Sequence, residues 1–226
     1  MFMASLRFRM RQRYWRWAAP AKFNAYLREA PSPKLQIGAG YNLLSGWLNT
    51  TLYPIAAGAV FLDASQRFPL PSASFDYVFS EHVIEHLEFE EGATMLGESA
   101  RILKSGGRIR LATPDLAQII ALYTQPTADA QQSYIRWIMD NFRQQVGEYN
   151  PAQVINQSFH GWRHRFIYDE PTLVQSLKKA GFTSISRVEP GHSGDQNLRG
   201  IEQHGEYVGS DSAMRYETMV IEATKP

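Results

Sequence analysis

The sequence predicts an α/β fold, an open and mostly parallel β-sheet covered by helices on both faces. Three observations lead there. From residue 34 onward, short β-branched or aromatic runs alternate with segments of helical spacing, the pattern of strands joined by crossover helices. Near the start of that region, the apolar run Leu35, Gln36, Ile37 meets Gly38-Ala39-Gly40 and then a second β-like run over residues 47–52. Two glycines so placed let the backbone approach a ligand lying across a strand end. The chain has 226 residues and no cysteine, so it must fold on a buried apolar core rather than on disulfides or thiolate metal sites.

Residues 1–30 form a basic, aromatic arm. Seven Arg/Lys face one acid, Glu29, leaving sixteen against twenty-one for the mildly acidic remainder. Wound as a helix, Leu6, Met10, Tyr14 and Trp17 share one side, which suits contact with an anionic membrane surface. The spacing of two between Arg7, Arg9, Arg11 and Arg13 fits a strand equally well. Packing on its own domain or on a partner subunit is the plainer reading. The arm's excess of Arg over acids also resembles an organelle transit peptide, but it lacks the continuous apolar core of a secretory signal. No apolar run is long enough to span a membrane. Pro31 and Pro33 then set the edge of a domain expected over residues 31–226.

Strands are expected at 34–38, 47–52, 59–62, 75–80 and 107–112. A turn at Gly106-Gly107 feeds the last of these. A helix is expected over 90–103, where Met95, Leu96, Ser99, Ile102 and Leu103 repeat at three and four. Residues 115–162 read as an insertion after the fifth strand, with helices near 115–124 and 128–146. Insertions at the carboxyl ends of strands commonly select substrate. Pro171 at a first turn and Gly181 at the end bracket a helix over 172–180. Strands at 183–189 and 216–223 follow, separated by a polar, Gly-rich loop over 190–213. A loop of that length suggests an antiparallel end to the sheet.

The segments KLQIGAG, GWLNTTLYP, VFLDASQRFPLPSASFDYVFSEHVIEHL, RILKSGGRIRLATPDL and HGWRHRFIYDEPTLVQSLKKAGF together resemble class I S-adenosylmethionine-dependent methyltransferases. Within that family they are similar to predicted methyltransferases of the type-11 kind, often associated with surface-polysaccharide synthesis, and the resemblance runs over residues 34–226. It implies a Rossmann-like sheet of seven strands in the order 3-2-1-4-5-7-6. It also implies S-adenosylmethionine as cofactor, S-adenosylhomocysteine as product, and a cytoplasmic enzyme acting on a small-molecule or glycan-like acceptor.

On that resemblance Gly38, Ala39 and Gly40 would pass under the methionine part and ribose of the cofactor. Asp63 would accept a hydrogen bond from the adenine amine, and Leu52 and Ala64 would sandwich the ring. Ser80, Glu81 and His82 would line the sulfonium and acceptor. The family's ribose-binding acid at the end of the second strand is matched here by Thr51, its acid before the glycines by Gln36, and the third glycine of the longer motif by Asn42. A neutral hydroxyl in place of a carboxylate weakens a hydrogen bond by about 1 kcal/mol or more. A cofactor-binding protein of the same fold without turnover is therefore an alternative. If the acceptor is a hydroxyl, His82 is the first candidate base and His160 the second.

The segment His82-Val83-Ile84-Glu85-His86 also satisfies H-x-x-E-H, the pattern of an inverted zinc peptidase. That gives a second alternative, a zinc hydrolase with His82 and His86 on the metal and Glu85 on the water. Within the methyltransferase reading no metal ligand is assigned, and Glu85 and His86 would hydrogen-bond structurally. His160 and His164 form another spaced pair, for which a metal site, a substrate contact and plain packing all fit. The loop over 191–205 would be an acceptor-binding flap or simply solvated. A nicotinamide enzyme is disfavoured by the missing third glycine. Nucleic acid is not expected as a partner, because the basic residues concentrate in the arm.

Overall fold

The computed structural model describes the backbone of residues 2–142 and 148–226. It contains a seven-stranded sheet in the order β3-β2-β1-β4-β5-β7-β6. The strands are β1 (Lys34–Ile37), β2 (Leu48–Thr51), β3 (Val60–Phe61), β4 (Phe75–Glu81), β5 (Leu103–Pro114), β6 (Thr183–Val188) and β7 (Thr218–Thr224). The first five run parallel, whereas β7 is antiparallel to both β5 and β6. Helices cover both faces, so the sheet is the Rossmann-like class I methyltransferase fold that the resemblance implies. Central strands buried on two sides need nearly continuous apolar runs, and Val78, Phe79, Ile109, Leu111, Val220 and Ile221 supply them.

The expected turn at Gly106-Gly107 lies within β5 instead. Gly106 takes φ +77° there and the pairing register slips between Phe75 and Tyr77. A side chain on Gly107 would approach Lys104 O to 2.8 Å, so glycine bends the strand without ending it.

Helix α1 (Phe2–Glu29) carries the basic arm. It docks through a stripe spaced for a helix: Ala19 and Phe23 are buried in the main core, with Trp15, Tyr26 and Leu27 packed against it. The Tyr26 hydroxyl accepts from Lys34 N at 2.9 Å and has Lys34 O and Gly46 O, both at 3.0 Å, as alternative acceptors for its one proton, fastening the helix to the start of β1. Met10, Tyr14 and Trp17, expected as one apolar face, are exposed. The side chains of Leu6, Arg7, Phe8 and Arg9 lie outside the described residues.

Helix α2 (Phe89–Ile102) buries Met95, Leu96, Ser99 and Ile102, as its spacing predicts. Helices α3 (Leu116–Thr124), α4 (Asp129–Phe142) and α5 (Pro151–His160) make up the segment after β5. Residues 143–146 of the helix expected there fall outside the described residues. Sequence spacing missed α5, yet its start is encoded: the Asn150 side chain accepts from Ala152 N at 2.8 Å and proline takes the first turn. Helix α6 (Glu170–Lys179) is capped the same way by Asp169, which accepts from Thr172 N at 2.9 Å. The stretch expected as one long loop before β7 contains two short helices, α7 (His204–Val208) and α8 (Asp211–Glu217). Among the described residues, no helix is long and apolar enough to cross a membrane.

Candidate active site

A cavity of about 620 Å³ opens at the carboxyl ends of β1, β4 and β5. Open α/β sheets bind ligands there because the strand order reverses beside β1 and leaves a crevice between the two halves. One wall is Gly38 through Asn42, following β1. Gly38 adopts φ +78° and packs against Val83 so closely that a Cβ would fall 2.1 Å from its Cγ2. Gly40, at φ +54°, has no atom nearer than 4.0 Å to where a Cβ would sit. The first glycine is thus required by packing, and the second leaves open space over the strand end.

Gln36 departs from the family pattern for a reason visible in its contacts. Its amide donates to Asn42 O at 3.0 Å and accepts from Leu44 N at 3.3 Å, pinning both ends of the turn that follows Gly40. A carboxylate could accept but not donate. Gln36→Glu is therefore expected to lower stability by about 1–3 kcal/mol, the cost of an unmet buried polar group. An unchanged denaturation midpoint would refute this role.

Glu81, His82 and Glu85 enter the cavity from the end of β4 and the 3-10 turn Ile84–His86. The Glu81 carboxylate accepts the backbone N–H groups of Gln203 and His204 at 3.0–3.1 Å, so it anchors the start of α7 to the cavity rim. Burial pushes its carboxyl above the usual range, against the pull of those two N–H groups. His82 takes φ +48°, a left-handed conformation that costs energy outside glycine and is held by its neighbours. Its Nδ1 lies 3.1 Å from Glu85 Oε1, its Nε2 lies 3.2 Å from Thr218 Oγ1, and its ring stacks on His204 at 3.7 Å. Burial alone would lower the His82 pKa, but Glu85, Glu217 and Glu81 together raise it.

Glu85 is fully buried. Burial would push its carboxyl up, yet His82, His86 and His164 pull it down to about 2. Its Oε2 accepts from Thr113 Oγ1 at 3.1 Å. On the opposite side, Glu217 accepts from the Tyr134 hydroxyl, and His204 Nε2 stands 3.6 Å from its Oε1. The far wall is aromatic: Trp137 and Phe142 of α4, Trp162 after α5, and Tyr207 of α7. Phe142 bridges Trp137 and Trp162 with ring centroids 5.5 and 5.2 Å away.

The residues expected from sequence divide between this cavity and its surroundings. Gly38, Ala39, Gly40, Glu81 and His82 line it. Ser80 lies beneath the lining, 2% exposed, with a hydroxyl that has no hydrogen-bond partner. Thr51 ends β2 beside Phe61, outside the cavity lining, and Leu52 beyond it is 37% exposed. Asp63 accepts from the backbone N–H and hydroxyl of Ser65 at 3.1 and 2.7 Å, and Arg16 of α1 approaches it at 3.7 Å. Ala64 packs on the main core. His160 is exposed at the end of α5 and is not among the lining residues, whereas His164, four residues on, is. The H-x-x-E-H pattern is also rearranged: His82 groups with His204 and Glu217, and His86 groups with Glu85 and His164. That separates the two histidines a zinc peptidase would place on one metal.

Sequence spacing did not find Trp137, Phe142, His204, Tyr207 and Glu217. The polar, aromatic character of residues 115–162 was the available signal for the first two. His204 had one too, in the crowding of polar groups between Gly191 and Gly205.

A family model described as a methyltransferase domain matches residues 58–111, from the approach to β3 through most of β5. The sheet order and this match agree on the class I methyltransferase fold. The chain is an S-adenosylmethionine-dependent enzyme whose product is S-adenosylhomocysteine. No curated protein matches this chain. Among solved structures, a possible exported protein from Bordetella parapertussis aligns at 12% identity and TM-score 0.50, over 97% of this methyltransferase chain and 68% of its own. A SAM-dependent methyltransferase from Thermotoga maritima, described as a possible histamine N-methyltransferase, aligns at 17% identity and TM-score 0.49, over 96% and 97%. A SAM-dependent methyltransferase from Archaeoglobus fulgidus aligns at 16% and 0.49, over 93% and 94%. At these identities the likeness is one of fold.

The chain's residues fit that cofactor at its methionine end. The open space over Gly40 and the run Gly38 through Asn42 leave room for an extended ligand across the end of β1, with Glu81 opposite.

Proposed function

We propose that this methyltransferase methylates a hydroxyl of a small-molecule or glycan-like acceptor, with His82 as the base. The observation that carries the reading is His82 in the cavity lining, with Glu85 Oε1 3.1 Å from its Nδ1. Glu85 Oε1 stands 3.1 Å from Nδ1 without a hydrogen bond to it, and its negative charge favours the ring proton on that nitrogen, leaving Nε2 to accept. An acceptor hydroxyl would replace the contact of Nε2 with Thr218 Oγ1, once the ring turns toward the cavity, and pass its proton to Nε2 as its oxygen bonds to carbon. The cofactor supplies an electrophilic methyl group on a sulfonium, whose sulfur keeps the bonding electron pair when the methyl leaves.

Gly38, Ala39 and Gly40 would position the cofactor's methionine and ribose, with Asp63 reserved for the adenine amine once freed from Arg16. The aromatic wall supports an acceptor with a flat or ring-shaped apolar face, and the Glu and His groups beside it suit hydroxyls. Both properties belong to a sugar. They support the resemblance to enzymes of surface-polysaccharide synthesis.

The test is incubation with methyl-labelled S-adenosylmethionine and fractions of nucleotide sugars, cell-surface glycans, protein and RNA. Label is expected in the glycan or sugar fraction. Label confined to protein or RNA would overturn the acceptor assignment, and measurable cofactor binding with no label anywhere would favour a binding protein without turnover.

A further inference from the structure

We propose that Glu85, His86 and His164 form a binding site for a divalent first-row transition-metal ion in the wall of the cavity. Each offers one ligand atom, and the three atoms lie within 4.8 Å of one another. Two imidazoles and one carboxylate, without thiolate, suit zinc, cobalt, manganese or iron, whereas calcium and magnesium prefer oxygen-only sets.

The second observation concerns the state of these groups. Glu85 is fully buried, and its Oε1 has no hydrogen-bond partner. His82 Nδ1 is 3.1 Å away but poorly aligned with that oxygen. An ionised carboxylate oxygen in that position is costly unless it binds a cation. His164 is prepared as a ligand in a recognisable way. Its Nδ1 lies 2.7 Å from Ser158 O, and a carbonyl can only accept, so the ring proton is on Nδ1 and Nε2 is free.

The backbone holds the group together across 79 residues of sequence. Arg165 N and Phe166 N both donate to Glu85 O, at 2.7 and 3.2 Å. Trp162 and Arg163 carry positive φ values of 49° and 65°, so the chain is strained in delivering His164 to this place. Ligand atoms around a zinc ion at about 2.0–2.2 Å lie roughly 3.3 Å apart. His86, which is partly exposed, is the side chain with room to move inward on binding.

The neighbouring group of His82, His204 and Glu217 is the weaker candidate. His82 Nε2 already faces Thr218 Oγ1, and its ring is stacked on His204 at an interplanar angle of 21°, which points the lone pairs alongside each other instead of at one centre. The binding claim stands without the methyl-transfer reading. A role for the ion in polarising an acceptor oxygen rests on that reading.

The test is titration of chelator-stripped full-length protein with Zn²⁺ by calorimetry and with Co²⁺ by visible absorption, with no cofactor present. One equivalent is expected to bind, with affinity reduced at least 10- to 100-fold in His86→Gln and in His164→Gln, and unchanged in His192→Gln, an exposed residue that belongs to neither histidine group. Circular dichroism of the two half-exposed variants separates lost ligation from lost fold. Absence of stoichiometric binding, wild-type affinity in both variants, or loss in His204→Gln with retention in His164→Gln would each overturn the site. Because the readout needs no acceptor or cofactor, its failure leaves the methyl-transfer reading untouched.

Discussion

Replacing Arg110 by methionine is expected to lower the unfolding free energy by about 3–5 kcal/mol, the range for removing one partner of a buried ion pair. Arg110 is fully buried on β5, and its guanidinium pairs with Glu202 and Glu222, each at 2.5 Å, while donating to His192 O at 2.9 Å. Glu222 stands opposite it in the β5–β7 register, so sheet pairing sets that contact. Glu202 comes from the segment leading into α7 and also accepts from Gly191 N at 3.1 Å. Methionine would fill the volume but leave two carboxylates buried beside a single remaining cation, Arg108, which reaches only Glu222 and Asp195.

Thermal unfolding should move down by roughly 6–20 °C, at about 2–4 °C per kcal/mol for a chain of this size. The triple variant Arg110→Met, Glu202→Gln, Glu222→Gln should recover part of the loss, because no charge is then left without a partner. A change below 1 kcal/mol in the single variant would show that the network does not hold the sheet. The functional consequence follows from position: Glu202 precedes Gln203 and His204, whose N–H groups fix Glu81. The loop expected as an acceptor-binding flap or a solvated loop is tied to the core at Arg110.

His82→Asn is expected to reduce kcat by about 10²–10⁴-fold, the usual contribution of a positioned general base. S-adenosylmethionine affinity should stay within a few-fold of the wild type. Asparagine is the suitable replacement because it tolerates the left-handed conformation that His82 adopts at φ +48°. Loss of activity then reports on the imidazole and not on backbone strain. Calorimetry with the cofactor, alongside single-turnover methyl transfer to an acceptor found by the labelling screen, separates the two quantities. A kcat within threefold of the wild type would remove His82 from the base role and leave the neighbouring His204, stacked on it and paired with Glu217, as the group to examine.

The parts of this molecule that were legible from sequence share a short range. Asn150 and Asp169 cap helices two or three residues away, Met95 and Ile102 lie on one face of a single helix, and Gly38-Ala39-Gly40 turns within one loop. The resemblance of the ordered motifs added the sheet order, which spacing alone would not have supplied. The docking stripe Trp15, Ala19, Phe23 was present in the arm but competed with the alternation of arginines, and only burial against the core decides between them. Gln36 looked like a lost acid because its partners, Asn42 O and Leu44 N, are backbone atoms that a residue pattern does not display.

By itself the sequence determined an α/β sheet with a glycine turn at the end of its first strand, and a cluster of His and Glu at the end of its fourth. Local propensity and hydrophobic period act over a few residues, and those features are written at that range. Tertiary structure alone decided which groups face one another across the cavity. His82 meets Thr218 from 136 residues away and Glu81 meets Gln203 from 122, contacts set by strand order and chain crossover. The same long-range geometry took His160 out of the site, brought His164 to Glu85, and converted an H-x-x-E-H pattern into two separate groups.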